Sequence, residues 1–257
     1  MIDQYALPAG LIVALLLSLS WHEAAHAWVA DRLGDPTARE LGRVSLNPIR
    51  HLDPFLSVIM PALLYTTTGF IFGGGKPVPI NPSYFRNRAR DFMLVALAGP
   101  GSNLLLALLF TGAYVLAAGF GLFGGEAEAI PQAVKMGLEL ESGPPSLLRD
   151  ARDLLTGNAD DIASVGQLWL TIAVGINVAL ALFNLIPIPP LDGSRVIGWL
   201  LPTSLRPSWY GLDRIGILLV LFAVFVGGVG QVVVSFALLI LDRLATSADE
   251  LITMIAS

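Results

Sequence analysis

The chain has 257 residues, 54% apolar and only 14% charged, with 15 basic against 20 acidic side chains and a formal net charge of -5; its mean hydropathy is +0.70. Soluble domains carry about 25% charged residues, so an ordinary water-soluble enzyme and a disordered chain are both excluded, and the acidic balance offers no footprint for nucleic acid. Cysteine is absent, which removes disulfides, thiolate nucleophiles and thiolate-held zinc.

The remaining charges leave five apolar blocks, and about 20 apolar residues cross the hydrocarbon core of a bilayer. The expected fold is an all-α polytopic membrane protein, organised as a single integral-membrane domain over 1–257. Block one covers 7–30. Met1–Gln4 holds no Lys or Arg and includes Asp3, so the cationic start of a secretory signal is missing and the block reads as a retained membrane helix.

Block two covers 54–75. Arg32, Arg39, Arg43 and Arg50 precede it, and Lys76, Arg86, Arg88 and Arg90 follow it. Segment 126–161, by contrast, sets three basic residues against eight acidic ones. The positive-inside rule puts the first two loops inside and the third outside. Block two then enters and leaves on one side. Pro61 and the run Thr66-Thr67-Thr68 favour a re-entrant or sheet-like insert over the alternative, a plain spanning helix. Such backbone is tolerated at depth only when buried in protein or lining a cavity.

Block three covers 92–122 and block four 162–186. Block four runs into the turn Pro187-Ile188-Pro189-Pro190-Leu191-Asp192-Gly193, and an amphipathic piece, Ser194–Leu201, follows. Block five, 212–241, is a C-terminal membrane helix, either kinked at Gly227-Gly228-Val229-Gly230 or divided there into a span and a surface helix. No internal repeat is legible, and 126–161 is too short for an appended soluble domain.

Chemistry concentrates in His22-Glu23-Ala24-Ala25-His26. On a helix the two histidines share a face and can reach one metal, while Glu23 beside them can accept a proton from water. Two imidazoles and a carboxylate at membrane depth are costly unless paired or ligated; the alternative is a set of buried polar groups bonded to helix neighbours. A catalytic zinc takes three protein ligands. Asp192, set between Pro and Gly after an uncharged block, is the stronger third ligand, although Asp-Gly is also an ordinary turn pair. His51, in the polar stretch 47–54, is the other option, and Glu40 lies in a charged loop.

The constellation resembles the site-2 protease family of intramembrane zinc metalloproteases. The resemblance is carried by His22-Glu23-Ala24-Ala25-His26 and by Asn184-Leu185-Ile186-Pro187-Ile188-Pro189-Pro190-Leu191-Asp192-Gly193. Ala98-Gly99-Pro100-Gly101-Ser102-Asn103 and Gly75-Lys76-Pro77-Val78-Pro79-Ile80-Asn81-Pro82 look like further parts of the family pattern, so the likeness spans 11–200. It implies one Zn2+ held by His22, His26 and Asp192, with Glu23 as general base and Asn184 as a donor on the oxyanion side. It also implies a core of three membrane helices (blocks one, three and four) and a substrate that is itself a transmembrane-helix protein in the lipid bilayer. A sheet-like insert around 36–48 or 66–80 is expected to hold the unwound substrate strand by edge pairing. The compact form, without a PDZ or CBS domain, is similar to the small bacterial and archaeal members. A prokaryotic cell membrane is therefore implied, with the active site toward the cytoplasm. Nothing in the sequence speaks to oligomeric state.

Helix direction offers an independent check. The histidine pair and Asp192 both lie toward C-terminal ends of their blocks, so blocks one and four must run the same way, as they do when block two is re-entrant. Asn177 shares a face with Asn184 and is read as an interhelical hydrogen-bonding residue or as lining a water path. Asn103 carries the same two readings. Trp21 and Trp28 are read as packing or interface residues. Rival functions are a non-catalytic metal-binding membrane protein or transporter, and a zinc-dependent hydrolase of a lipid or small amide. Transporters show repeat-related halves, which this chain lacks.

Overall fold

The computed structural model describes residues 3–60, 63, 74–122 and 162–256. Helix α1, Asp3–Arg32, extends block one to 30 residues. It stops where Gly34 takes φ +107, letting the Asp35 amide turn back to Ala30 O at 2.9 Å. A single turn, α2, Thr37–Glu40, follows. Short helical turns occupy Pro48–Arg50, Pro54–Ile59 and Pro82–Tyr84.

Helix α3, Arg88–Gly119, is 32 residues long. Its start is locked reciprocally, Asn87 Oδ1 accepting from the Arg90 amide and Asp91 Oδ2 from the Asn87 amide. Its end uses Gly121 at φ +67. Helix α4, Ile162–Asn184, stops just short of Pro187. Then come α5, Gly193–Leu200, α6, Arg206–Gly211, α7, Gly216–Phe225, and α8, Val229–Ala256.

All regular structure among the described residues is helical. Among the described residues, four helical stretches are long and apolar enough to cross a membrane: Gly10–Arg32, Arg88–Gly119, Val165–Asn184 and Arg206–Val224. Their outer faces carry exposed Ile12, Leu17, Leu108, Leu116, Leu218 and Phe222. In lipid such faces are the solvated surface. Inside, small residues dominate, with Ala14, Ala24, Ala27, Ala30, Ala96, Ala107, Ala173 and Ala181 buried. Small side chains let membrane helices approach closely enough for dispersion contacts to hold them. The chain is an all-α integral membrane protein.

Of the two readings of block five the structure gives the divided one, and one expectation changes. Block five is not continuous: the helix breaks at 226–228, with Gly228 at φ +66, a conformation that other residues resist. A sheet-like insert at 36–48 is replaced by α2 and turns, because Asp35 Oδ1 accepts from both the Thr37 amide and its hydroxyl and curls the chain locally. Most of block two, including Pro61 and the threonine run, lies outside the described residues.

The chain divides into two compact units. In the first, Met1–Ser18, Leu105–Ala179 and Val234–Ser257, Ala14 packs with Leu168, Ile172 and Ala173. One turn on, Asn177 Nδ2 donates to Ser18 Oγ at 2.8 Å. The successive contacts advance together, so α1 and α4 run in the same direction. Of the two readings of Asn177, the structure gives the interhelical bond. In the second unit, Leu19–Leu104 and Leu180–Val233, Ala30, Phe85 and Val95 form a core with Val29, Leu33, Ile80 and Phe92 around it. Here His22 meets Asn103 and His26 meets Val95, so α1 and α3 run antiparallel.

Candidate metal centre

The second unit holds the histidine pair. His22 and His26 are buried on one face of α1. His26 Nδ1 lies 2.7 Å from Val95 O. A backbone carbonyl can only accept, so the ring carries a proton on Nδ1. His22 Nδ1 lies 2.6 Å from Asn103 Oδ1, which sets the same tautomer. In the neutral rings both Nε2 atoms are then bare lone pairs, 3.0 Å apart. Asp192 Oδ2 stands 3.2 Å from the first and 3.3 Å from the second. It is buried without a hydrogen-bond partner.

Three electron-rich atoms gathered in a dry place repel one another unless a cation or an added proton lies among them. Their spacing discriminates. Ligand bonds of about 2.0–2.2 Å in a tetrahedron place neighbouring ligand atoms about 3.3–3.6 Å apart. The observed separations, 3.0, 3.2 and 3.3 Å, lie at or just below the lower end of that range. His22, His26 and Asp192 therefore fit one small divalent ion such as zinc; among the described residues, they are the group of His and acidic side chains that could hold a metal. The hydrogen bonds on the far ring nitrogens orient the imidazoles. When the imidazoles carry an added proton, attraction to His26 and His22 outweighs the effect of burial and holds the Asp192 carboxyl below the usual carboxylate range.

Local backbone explains how the residues arrive. A Cβ at Gly99 would run into both imidazoles, so glycine is what lets α3 lie against the pair. Pro100 sits inside α3, and Ser102 Oγ donates to Gly99 O at 2.7 Å. Asp192 occupies the position before α5 but makes no capping bond there; its side chain turns to the histidines instead. A Cβ at Gly193 would overlap the Leu185 carbonyl, so the Asp-Gly pair works by close backbone packing as well as by turning.

Glu23 is half-buried on α1 between the two histidines. Its Oε1 would lie 3.3 Å from a Cβ on Gly75. The Gly75 segment is held by the Lys76 amide donating to His51 O at 2.7 Å, by Arg43 Nη2 donating to Lys76 O, and by Ser57 Oγ donating to Gly74 O. Asn184 ends α4 and donates from Nδ2 to Leu180 O at 3.0 Å. His51 is kept out of the metal group: it is buried, with Nε2 2.6 Å from Ser45 O. Sequence reasoning missed Val95, whose contribution is a main-chain oxygen and leaves no side-chain signal. It left Asn103 ambiguous and overlooked why Gly99 is a glycine.

The model of peptidase family M50 matches residues 10–226, which takes in every residue of this centre. The chain belongs to peptidase family M50. This M50 peptidase is 32% identical over 219 residues to the inferred zinc metalloprotease YwhC of Bacillus subtilis (strain 168), covering 84% of this chain and 81% of that one. It is 38% identical over 102 residues to Rip2 of Mycolicibacterium smegmatis, covering 40% of this chain and 38% of that protein. Against Rip2 of Mycobacterium tuberculosis (strain H37Rv) the figures are 39% over 103 residues, 40% and 39%. Both Rip2 proteins carry the same inferred description as YwhC, zinc metalloprotease. No solved structure matches the M50 chain.

Proposed function

We propose that this M50 peptidase is an intramembrane zinc metalloprotease that hydrolyses a peptide bond within or near a transmembrane helix of a membrane-protein substrate. In this reading the chain is one catalytic domain, and His22, His26 and Asp192 hold a single Zn2+. The observation that carries it is the convergence of two imidazole Nε2 atoms and a carboxylate oxygen at 3.0–3.3 Å, from residues far apart in sequence.

Bound zinc supplies Lewis-acid polarisation of a carbonyl and brings the pKa of water near 7. Glu23, half-buried beside the ligands, accepts the proton of the attacking water and returns it to the departing amine. Asn184 spends one N–H on Leu180 O and keeps the other for the developing oxyanion. A substrate helix hides its peptide bonds in its own hydrogen bonds, so substrates with helix-breaking residues are favoured. The basic loops at 31–53 and 76–90 support an active site facing the cytoplasm of a prokaryotic cell.

The test is Glu23→Gln in protein reconstituted into lipid with a library of single-span membrane reporters. The wild type cleaves a reporter and chelation stops it, whereas Glu23→Gln keeps its zinc and loses cleavage. Full activity in Glu23→Gln would remove the base from this scheme. Zinc binding by the wild type without cleavage of any reporter would return the chain to the metal-binding or transporter reading.

A further inference from the structure

The third ligand sits on an arm with little intrinsic stability. Helix α5 has eight residues, and helices that short are marginal on their own. Tertiary contacts must therefore fix where Asp192 points. One of them stands out chemically. Arg195 lies one turn beyond Asp192, its amide donating to Asp192 O at 2.9 Å. Its largely buried guanidinium pairs with Asp213 at 2.9 Å. The same group lies 5.2 Å from the ring centre of Phe92 and 5.5 Å from that of Tyr210. Those two rings are themselves in edge contact, 6.1 Å between centres.

Phe92 belongs to α3 and precedes by three residues Val95, the group that orients His26. Arg195 thus ties the arm bearing Asp192 to α3, whose Val95 and Asn103 orient the imidazole pair. The surrounding contacts bind the arm to α6 and α7: Trp209 Nε1 donates to Ser194 O at 2.8 Å, and Gly216 leaves room for Pro190. A planar, permanently charged guanidinium can pair with a carboxylate and lie over aromatic faces together, which an ammonium does poorly.

We propose that Arg195 is a positioning residue for the metal: clasped by Asp213, Phe92 and Tyr210, it sets the reach of the Asp192 carboxylate toward His22 and His26. The inference rests on the proposed ligand role of Asp192. Residues outside the ligand shell that fix a ligand's orientation typically change metal affinity by about 10–100-fold.

The experiment measures zinc affinity of the full chain in detergent by competition with a chromophoric chelator. The proteins are wild type, Arg195→Ala, Arg195→Lys, Asp213→Asn, Asp192→Ala and the double variant Arg195→Ala with Asp192→Ala. Arg195→Ala is expected to weaken zinc binding by about 10–100-fold, with Arg195→Lys between it and wild type. With Asp192 already removed, Arg195→Ala should add no further loss, because its effect passes through that carboxylate. An equal loss in the Asp192→Ala background would mean a general effect on the fold and would overturn the inference. So would wild-type affinity in Arg195→Ala beside a weakened Asp192→Ala. If Arg195→Ala does not fold, Arg195→Lys and Asp213→Asn decide on the same criterion. Wild-type affinity in Asp192→Ala would instead overturn the ligand assignment beneath it.

Discussion

Replacing Asn103 with alanine removes the acceptor of the His22 Nδ1–H bond and tests the proposed tautomer directly. Asn103 is fully buried and His22 only 3% exposed, so water has no ready route to the vacated position. A buried donor left without a partner costs about 1–3 kcal/mol. In the folded protein His22 can recover part of that only by rotating or by moving its proton to Nε2, and either change withdraws a metal ligand. At about 1.4 kcal/mol per factor of ten, zinc affinity should fall by about 5–150-fold. Chelator competition on the purified protein measures the affinity, and thermal unfolding of the metal-free form reports the cost to the fold separately. Native affinity in a folded Asn103→Ala protein would show that the 2.6 Å contact does not orient the ring, and the tautomer argument would fail at His22.

Gly99→Ala should weaken zinc binding by at least about tenfold, because the added methyl displaces both imidazoles; unchanged affinity by the same assay would contradict the close approach of α3. Asn177→Ala removes the bond to Ser18 within the first unit. It should cost about 1 kcal/mol of stability, read by unfolding in mixed micelles, and leave zinc affinity untouched. A loss of metal there would give Asn177 a role beyond joining two helices.

Much of the fold was legible because membrane helices announce themselves by length and uniform apolarity. Blocks one, three and four match α1, α3 and α4 to within a few residues. The break in block five was half legible: consecutive glycines signalled a disruption, but only the backbone conformation at Gly228 distinguishes a break from a kink. Strand-like order at 36–48 was misjudged, since Asp35 reaches forward to Thr37 and satisfies locally the amide a sheet would have used. At the centre, the four-residue spacing of His22 and His26 and the isolation of Asp192 between Pro and Gly could be read from the chain. His51 could not be judged, because a histidine bonded to a nearby carbonyl and one bound to a metal look alike in sequence. The parts supplied by packing were invisible: the Val95 carbonyl, the clearance at Gly99, and the aromatic clasp on Arg195, whose members come from three separate segments.

The order of these parts along the chain also fixes when the proposed centre can be completed. The imidazoles are synthesised near the beginning, while Asp192 and the Asp213 end of its clasp belong to the last third. A nascent polypeptide already threaded into the bilayer thus carries an unfinished centre. Its closing segment must be inserted and docked before the ion can be gripped on three sides. Under the proposed function, a product truncated before that segment lacks its third ligand and stays inert.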